Sequence, residues 1–389
     1  MWKAILALAM ALPCLAHAEL LPDAGFGNTG VVDVALPGVS FHQTPRAAVL
    51  PDRRVVVAVV RGNPMPMFSR QPFLWLVRLR PDGGIDPTFA DGAATTLVLA
   101  PANADNARLD DVGVRADGSA FALVTLSWPG AKRTLLVGIA ADGRPDPGFN
   151  GGEPLVVAER GYENPRVFDT GSGYLVVGVG RSGTAGVRLG FDAWRLRADG
   201  TPDPSFGNGG SIAVEGPADG IGSTDVIALP GGGFQILNFQ QSQTVPNYWR
   251  RYRADGSVDT TFGNGGVEAV PDVDTLDDVI RTVYPLDDGT HVAVGGGSCA
   301  LRTLDAQGRT STRFDGPCIG GMTINPNVQP YGAKILVSAE IHFSGAPSSA
   351  DGTYLWVIDR NGVVDETFPE PQADRWRPPA SPGASYGVA

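Results

Sequence analysis

A motif that returns along the chain at regular intervals constrains its fold more than any other feature. It combines a strand-like apolar run, a turn of the Ala-Asp-Gly kind and the sequence Asp-x-x-Phe, which Gly-Asn-Gly-Gly often follows. Its phenylalanines, spaced 52 to 63 residues apart, are Phe26, Phe89, Phe149, Phe206, Phe262, Phe314 and Phe368. Such a period indicates one supersecondary unit repeated in tandem.

A second pattern lies inside each interval and consists of two β-rich runs around an Asp-Gly or Gly-rich turn. The six copies are at 46–60, 112–124, 166–179, 225–239, 282–296 and 327–340. Each copy predicts a tight hairpin. With one strand before the Ala-Asp-Gly turn and one after Asp-x-x-Phe, each unit contains four antiparallel strands, the size of a propeller blade. The sequence therefore predicts an all-β fold, a six-bladed β-propeller of four-stranded antiparallel blades.

The strand before the turn has period-2 alternation. Trp75, Val77 and Leu79 alternate with polar or charged positions such as Arg78 and Arg80. This alternation is typical of a strand with one drier face.

The repeated Asp and Phe are interpreted as scaffold rather than as chemistry. An Asp that recurs in the same turn accepts backbone N–H bonds there, and a Phe beside it is expected to fill the core between blades. The Asp residues are Asp86, Asp146, Asp203, Asp259 and Asp365.

The two ends of the chain predict how the ring closes. The residues after Phe368 are rich in Pro and unsuited to a strand, so the last unit lacks its fourth strand. The segment VVDVAL at 31–36 can supply that strand and remove the free sheet edges. We therefore expect the propeller to occupy 19–368 and a Pro-rich disordered tail to occupy 369–389.

The first residues are typical of a signal peptide. Lys3 precedes a twelve-residue apolar run that is too short to span a bilayer, and Ala16-His17-Ala18 fits a small-x-small cleavage site. The sequence thus predicts a signal peptide at 1–18, cleavage near Ala18, and a secreted or periplasmic protein. A lipid anchor on Cys14 is the alternative, against which Pro13 argues.

Charge restricts the partners of the mature chain. The formal net charge of −11 becomes −12 when Lys3 is removed with the signal peptide, leaving 29 basic and 41 acidic residues. A surface of this kind repels polyanions, so we expect no nucleic-acid partner.

No later apolar run approaches membrane length, and we expect a monomer. In an oxidising compartment Cys299 and Cys318 can form a disulfide, with two buried thiols as the alternative.

The Ala-Asp-Gly turn, the Asp-x-x-Phe-Gly-x-Gly-Gly run and their period resemble the delta-60 repeat, a bacterial propeller-type family. The resemblance covers 22–368 and implies a fold and frequent export, but no reaction. The copy at 303–314 departs from the pattern, because Ser311 stands in place of the Asp.

Six loops that enter the hairpins differ from unit to unit while the rest repeats. They are the segments at 37–44, 101–108, 159–166, 216–225, 271–278 and 323–329. Varied loops on a repeated scaffold are typical recognition surfaces. The ligand-binding candidates in them are His42, Arg108, Arg160, Tyr162, Glu163, Asn164, Arg166 and Asp278, and solvated loops without a ligand are the alternative.

The sequence gives weaker evidence for a metal site or for catalytic residues. Asp272, Asp274, Asp277 and Asp278 form a dense acidic cluster that could bind calcium, although the Gly spacing of a calcium loop is missing. The mature chain contains His42, His291 and His342, no two of which have zinc-ligand spacing. The sequence predicts no cofactor beyond this calcium alternative and no catalytic residue.

Two functions follow as hypotheses. The first is an exported binding module whose ligand is a protein or a carbohydrate. The second is a secreted polysaccharide lyase or glycosidase, which requires His42, Tyr162 or the carboxylates of 272–278 to meet near the axis, with paired carboxyls at glycosidase spacing.

Overall fold

The structure is a computed structural model. It describes the residues 46–61, 72–99, 104, 106–162, 165–180, 190–214, 224–229, 231–238, 248–269, 279–286, 290–296, 301–305, 310–313, 322–331, 334–342 and 352–359. Regular structure in these ranges consists of β-strands and two short 3-10 turns, at Ala90–Gly92 and Asn150–Gly152. The predicted all-β class is confirmed.

The first three sheets each contain four antiparallel strands in chain order. Their strands are β1 (Arg46–Val49), β2 (Val55–Arg61), β3 (Phe73–Leu79) and β4 (Thr95–Val98); β5 (Asn106–Val114), β6 (Ala120–Trp128), β7 (Ala131–Ile139) and β8 (Leu155–Ala158); and β9 (Arg166–Asp169), β10 (Gly173–Val179), β11 (Phe191–Arg197) and β12 (Ser211–Val214). Each sheet begins with a hairpin, which confirms the first three predicted ones.

The next three sheets continue the pattern, and the last has three strands within the described residues. Their strands are β13 (Thr224–Ala228), β14 (Phe234–Asn238), β15 (Tyr248–Tyr252) and β16 (Val267–Ala269); β17 (Val279–Pro285), β18 (His291–Gly296), β19 (Leu301–Leu304) and β20 (Thr310–Arg313); and β21 (Met322–Tyr331), β22 (Lys334–His342) and β23 (Gly352–Ile358). The remaining three predicted hairpins are confirmed.

The fifth sheet departs from the prediction in its last strand. Here β20 precedes Phe314, whereas the repeat predicts a strand after that residue. The worn copy explains the difference, since Ser311 replaces the Asp that caps the turn elsewhere and the β-branched Thr310 and Thr312 favour extended backbone.

Successive sheets pack face to face. The first strand of one sheet contacts the first strand of the next, in the pairs β1 and β5, β5 and β9, β13 and β17, and β17 and β21. Buried apolar side chains fill the spaces between sheets, such as Leu123 and Val176 between the second and third. Four-stranded antiparallel meanders stacked through their first strands form the architecture of a β-propeller, with the first strand innermost.

The repeated Asp caps its turn, as the sequence predicts. Its carboxylate accepts the backbone N–H two residues later, at 2.9 Å from Thr88 to Asp86, 2.8 Å from Gly148 to Asp146, 3.0 Å from Ser205 to Asp203 and 3.2 Å from Thr261 to Asp259. These short-range bonds occupy the carboxylate and leave it a structural role.

The repeated Phe is buried and links one sheet to the next. Phe89, Phe149, Phe206 and Phe262 are all buried, which confirms the predicted core position. The residue after the Phe donates its N–H to the turn Asp carbonyl of the following sheet, at 2.7 Å from Ala90 to Asp142, 2.9 Å from Asn150 to Asp199 and 2.8 Å from Gly207 to Asp255. We call this repeated contact the clasp.

The polar face expected for the strand before the turn is corrected by the structure. In β3 both faces are buried, because a neighbouring sheet covers the second face, and Arg78 is 2% exposed. Its Nε donates to Asp86 at 2.7 Å, its Nη1 donates to the Ala141 carbonyl of the second sheet at 2.8 Å, and its guanidinium lies over Phe89. The recurring arginine is thus a contact between sheets.

Each sheet has two distinct ends, since its strands alternate in direction. The Ala-Asp-Gly turns, the Asp caps and the clasp lie at one end, which we call the turn end. The opposite end, which we call the crossing end, contains the starts of β5 and β7 and the last residues of β6 and β8 in the second sheet.

Several predicted features lie outside the described residues. They are the signal peptide at 1–18, Cys14, the closing strand at 31–36, the tail at 369–389, Cys299, Cys318, His42, Glu163, Asn164, Asp272, Asp274, Asp277, Asp278, Phe26, Phe314, Asp365 and Phe368.

Candidate functional site

A short segment covers the crossing end of the second sheet. It comprises residues 159–162, which follow β8 and lead back toward the innermost strand of the third sheet. The Thr134 hydroxyl donates to the Arg160 carbonyl at 2.9 Å, and Nη2 of Arg108 donates to the Tyr162 carbonyl at 2.6 Å. Gly161 fits closely, since a Cβ there would lie 2.7 Å from Cδ of Lys132. The segment is therefore fastened across the sheet from β7 to β5.

The structure gives Tyr162 a structural role. Its ring is buried against Trp194, with centroids 5.7 Å apart, and fills the space above Gly178. Its hydroxyl donates to Oδ2 of Asp192 at 2.6 Å. The enclosed side chain positions Asp192 in β11 through this bond, and its role as a ligand-binding candidate stays a prediction.

Arg108, the second candidate, lies inside β5 beside a β-bulge between Leu109 and Asp111. Its Nε donates to Asp110 at 2.5 Å, and the Thr125 hydroxyl donates to the other carboxylate oxygen at 2.6 Å. Burial raises the pKa of Asp110 to about 6, although Arg108 and Thr125 both favour the ionised form. A buried carboxylate thus fixes the direction of the Arg108 side chain.

Arg166 begins β9, the innermost strand of the third sheet. Its Nε lies 3.7 Å from Oδ2 of Asp111, the same oxygen that accepts the Val167 N–H at 3.0 Å. The charge of Asp111 raises the pKa of Arg166, burial opposes this, and Asp225 at the start of β13 adds to it. Its Nε is buried and has no hydrogen-bond partner within the described part of the chain.

Arg160 completes the set. Its Nη1 lies 3.8 Å from Oδ2 of Asp192, which also accepts the Tyr162 hydroxyl. Arg108, Arg160 and Tyr162 are therefore brought together, and Arg166 lies close by through the neighbouring carboxylates Asp110 and Asp111. Four of the eight predicted ligand-binding candidates lie in the described residues; Arg108, Arg160 and Tyr162 are linked by direct contacts or through Asp192, and Arg166 pairs with Asp111, which follows Asp110 in β5.

Exposure separates the two signs of charge. The side chains of Arg108, Arg160 and Arg166 are 45%, 55% and 36% exposed. The carboxylates that pair with them are more enclosed, with Asp110 at 2% and Asp192 at 9%. Asp110 holds Arg108 in place through a hydrogen bond, and the acid of this end that is exposed in the described residues is Glu159, at 68%.

Sequence reasoning missed further charged residues at the same end. Lys132 and Arg133 follow the β6–β7 turn, and Arg133 pairs with the exposed Glu159 at 2.6 Å while lying over the ring of Trp128 at 5.5 Å. No motif marks them, but the pairing of β6 with both β5 and β7 places the start of β7 at the same end of the sheet as the start of β5, with β6 between them. We call Arg108, Lys132, Arg133, Arg160 and Arg166 the arginine patch.

The sixth predicted loop is corrected. Residues 323–329 lie within β21, where a register shift between Ile324 and Asn327 accommodates Pro326. These residues belong to the first strand of the last sheet rather than to a loop before it.

Other candidate chemistry finds no support in the described ranges. They contain no group of three or more His, Cys, Asp or Glu side chains that could hold a metal ion. His291 is buried, with its ring 5.5 Å from that of Trp249. No helix in these ranges is long and apolar enough to cross a membrane.

Comparisons with known proteins give distant likenesses. No protein-family model matches the sequence, and no curated protein sequence matches it. Among solved structures, puromycin hydrolase is 14% identical over 84% of this chain and 54% of its own, with a TM-score of 0.44. The α-L-arabinanase of Penicillium chrysogenum complexed with arabinobiose is 15% identical over 82% of this chain and 94% of its own, with a TM-score of 0.46.

A third similar structure is the β-propeller domain of the Trilobed protease from Pyrococcus furiosus. It is 10% identical over 83% of this chain and 84% of its own, with a TM-score of 0.41. This chain spans about half the length of the puromycin hydrolase. Likenesses this distant carry no argument about activity, and the fold assignment rests on the sheets described above.

Proposed function

We propose that the chain is an exported, six-bladed β-propeller of the delta-60 kind that acts as a binding module. Five four-stranded sheets and one three-stranded sheet in the described residues support six blades, with the segment at 31–36 completing the last. The ligand, a protein or a carbohydrate, docks at the crossing end of the second and third blades.

The observation that carries this proposal is the sorting of charge at the arginine patch. The half-exposed Arg108 donates to the enclosed Asp110 and to the Tyr162 carbonyl, and Arg160 and Arg166 lie 3.8 and 3.7 Å from Asp192 and Asp111. Solvated surface arginines need no such support, whereas a preorganised set of donors loses less conformational entropy when a ligand binds.

An enzyme remains the second hypothesis, and the described residues favour it less. Asp110 has a raised pKa, which suits a general acid, but Arg108 and Thr125 occupy both of its oxygens and it is almost fully enclosed. Tyr162, which this hypothesis requires near the axis, is buried and bonded to Asp192. The two remaining requirements, His42 and 272–278, lie outside the described residues.

The test compares two exposed arginines at opposite ends of the same sheets. Arg160→Ala alters the crossing end, and Arg144→Ala is the control, since Arg144 is 66% exposed at the turn end. The probes are a panel of neutral and acidic oligosaccharides and of neutral and acidic peptides. We expect at least one probe to raise the Tm of the natural chain and its Kd to rise about tenfold in Arg160→Ala, as for the loss of one charge-assisted hydrogen bond.

The Arg144→Ala control shows whether a change in Kd is specific to the crossing end. Arg144→Ala keeps the Kd of the natural chain if the crossing end is the binding surface. A panel in which no probe binds, or an equal loss in both variants, contradicts the proposal.

A further inference from the structure

The repeated motif contains a reactive pair of residues at the turn end. The sequence Asn-Gly-Gly follows the repeated Phe in the second, third and fourth sheets, at 150–152, 208–210 and 264–266. Asparagine is a chemically labile residue, and a following glycine, which has no Cβ, leaves its own nitrogen unhindered. Three turns with the same Asn-Gly-Gly sequence therefore allow the effect of structure on this lability to be compared.

The glycines that follow the three asparagines are equivalent. Gly151, Gly209 and Gly265 are exposed, have φ values of +66°, +63° and +65°, and would each accommodate a Cβ with nothing within 4 Å. Within the described part of the chain their N–H groups make no hydrogen bond, because the turns use the N–H groups of neighbouring residues. Each of these nitrogens is open to solvent and can act as a nucleophile once it loses its proton.

The asparagine side chains are not equivalent. Nδ2 of Asn150 donates to the Glu153 carbonyl at 3.0 Å, and the Asn150 N–H forms the clasp with Asp199 at 2.9 Å. Asn208 and Asn264 are also exposed, but in the described residues their hydrogen bonds all go through the backbone. Their side chains can turn toward the following nitrogen without losing a hydrogen bond, whereas the side chain of Asn150 has to break one first.

The reaction open to such a pair needs only water. The Gly209 nitrogen gives its proton to water and attacks Cγ of Asn208, and the new bond closes a succinimide ring. The bond between Cγ and Nδ2 breaks, and the amide nitrogen leaves as ammonia with a proton from solvent. Water then opens the ring. Breaking the bond from nitrogen to Cγ gives aspartate, and breaking the bond from nitrogen to the backbone carbonyl carbon gives isoaspartate.

Isoaspartate at position 208 alters a joint between two sheets. The chain then runs through the former side chain, which adds a methylene to the turn that the Gly210 N–H closes on the Phe206 carbonyl at 2.8 Å. Gly207 in the same turn forms the clasp with Asp255 of the fourth sheet. The longer backbone therefore loosens the joint between the third and fourth sheets, and either product adds a negative charge.

We infer that Asn208 and Asn264 are sites of spontaneous deamidation in the folded chain, and that the structure protects Asn150. The inference is independent of the proposed binding function, because it concerns the turn end alone. It gives the Gly-Asn-Gly-Gly part of the motif a chemical consequence in addition to its structural role, since the turns that carry it change as the protein ages.

The experiment ages the full chain at mildly alkaline pH, once folded and once unfolded in guanidinium chloride, and follows each site by peptide mass spectrometry. The unfolded chain is the matched control, because the three Asn-Gly-Gly sequences should react at similar rates without structure. In the folded chain we expect Asn208 and Asn264 to react about five times faster than Asn150, the factor that corresponds to one hydrogen bond of ordinary strength. In the unfolded chain the three rates should converge.

Two variants separate the reaction from its effect on the fold. In the double variant Asn208→Gln and Asn264→Gln, the longer side chain closes a ring far more slowly, so the Tm should survive ageing while that of the natural chain falls. Asn208→Asp introduces the new charge on an unchanged backbone, and before ageing it should keep the Tm of the natural chain. Circular dichroism establishes that each variant is folded.

The contrary results are distinct. Equal rates at the three sites of the folded chain would overturn the protection of Asn150. Asn208 and Asn264 that stay intact in the folded chain, after the unfolded control has reacted, would overturn the assignment of the sites. A Tm that does not change as isoaspartate accumulates at position 208 would overturn the loosening of the joint.

Discussion

The turn end and the crossing end of the same sheets differ in whether their contacts recur from one sheet to the next. At the turn end the clasp, the buried Phe and the Asp cap recur in one sheet after another with nearly equal distances. At the crossing end of the second sheet, the contacts of Arg108, Tyr162 and Arg160 have no counterpart elsewhere in the described residues. A contact that several repeats share joins the sheets, whereas contacts found once leave room for recognition.

The acidic groups at the two ends also differ. At the turn end, side-chain and backbone hydrogen bonds lower the pKa of Asp117, Asp199 and Asp255 below the ordinary value. At the crossing end, burial raises the pKa of Asp110 to about 6. Turn-end acids therefore stabilise the fold in their ionised form, and Asp110 stabilises it in its neutral form.

The largest effect is expected from the turn end. Phe149 is buried, meets Tyr174 edge to face at 5.3 Å, and lies against the backbone of Gly138 and Gly200. Phe149→Ala leaves a cavity between the second and third sheets, and we expect it to lower the free energy of unfolding by about 3–5 kcal/mol. Equilibrium unfolding in urea measures the loss.

The comparison requires that Arg160→Ala, at the crossing end, lower that free energy by no more than about 1 kcal/mol, because Arg160 is half-exposed and the enclosed Asp192 keeps its hydrogen bond from Tyr162. Equal losses in Phe149→Ala and Arg160→Ala would contradict the division between the two ends.

A smaller effect is expected from Asp110→Asn. The folded chain holds the Asp110 proton more tightly than the unfolded chain, since its pKa rises from 3.8 to about 6. The stabilisation from this group is complete below pH 3.8 and is lost as the pH rises through 6. The stability of the natural chain relative to the Asn variant should fall by roughly 2 kcal/mol between about pH 4.5 and 7.5.

Urea unfolding of both chains at the two pH values measures this difference, and Asp117→Asn is the control of opposite sign. The Ser119 hydroxyl and N–H hydrogen bond the Asp117 carboxylate, so its pKa is lowered and its stabilisation is lost as the pH falls. A pH dependence of the same sign in both variants would show that the two ends do not differ in this respect.

Local patterns in the sequence predicted the turn end well. The Asp caps join residues two apart, and the hairpins join neighbouring runs, so periodicity and turn chemistry suffice to find them. The burial of Arg78 was missed because its partners, Ala141 and Gly118, lie in another sheet. A spacing of eight residues between Arg78 and Asp86, repeated at Arg195 and Asp203, was the available signal.

The crossing end was predicted only by its composition. Loop variability selected Arg108, Arg160, Tyr162 and Arg166 alike as candidates, and it did not predict that Tyr162 is buried against Gly178 and Trp194. The bond from Arg108 to Tyr162 spans 54 residues of chain. Contacts between sheets at such separations follow no period in the sequence, and they appear only when the sheets are stacked.

The smallest effect compares two glycines with the same backbone conformation. Gly200 and Gly171 have φ values of +85° and +78°. A Cβ at Gly200 would lie 3.1 Å from the Phe149 ring of the preceding sheet, whereas a Cβ at Gly171 would meet nothing within 4 Å.

Both alanine variants carry the left-handed backbone strain of about 1–2 kcal/mol, and Gly200→Ala adds crowding where two sheets meet. We expect Gly200→Ala to lose about 1 kcal/mol more in urea unfolding than Gly171→Ala. Equal losses would mean that backbone strain alone sets the cost, and that the Phe plug yields to the added methyl group.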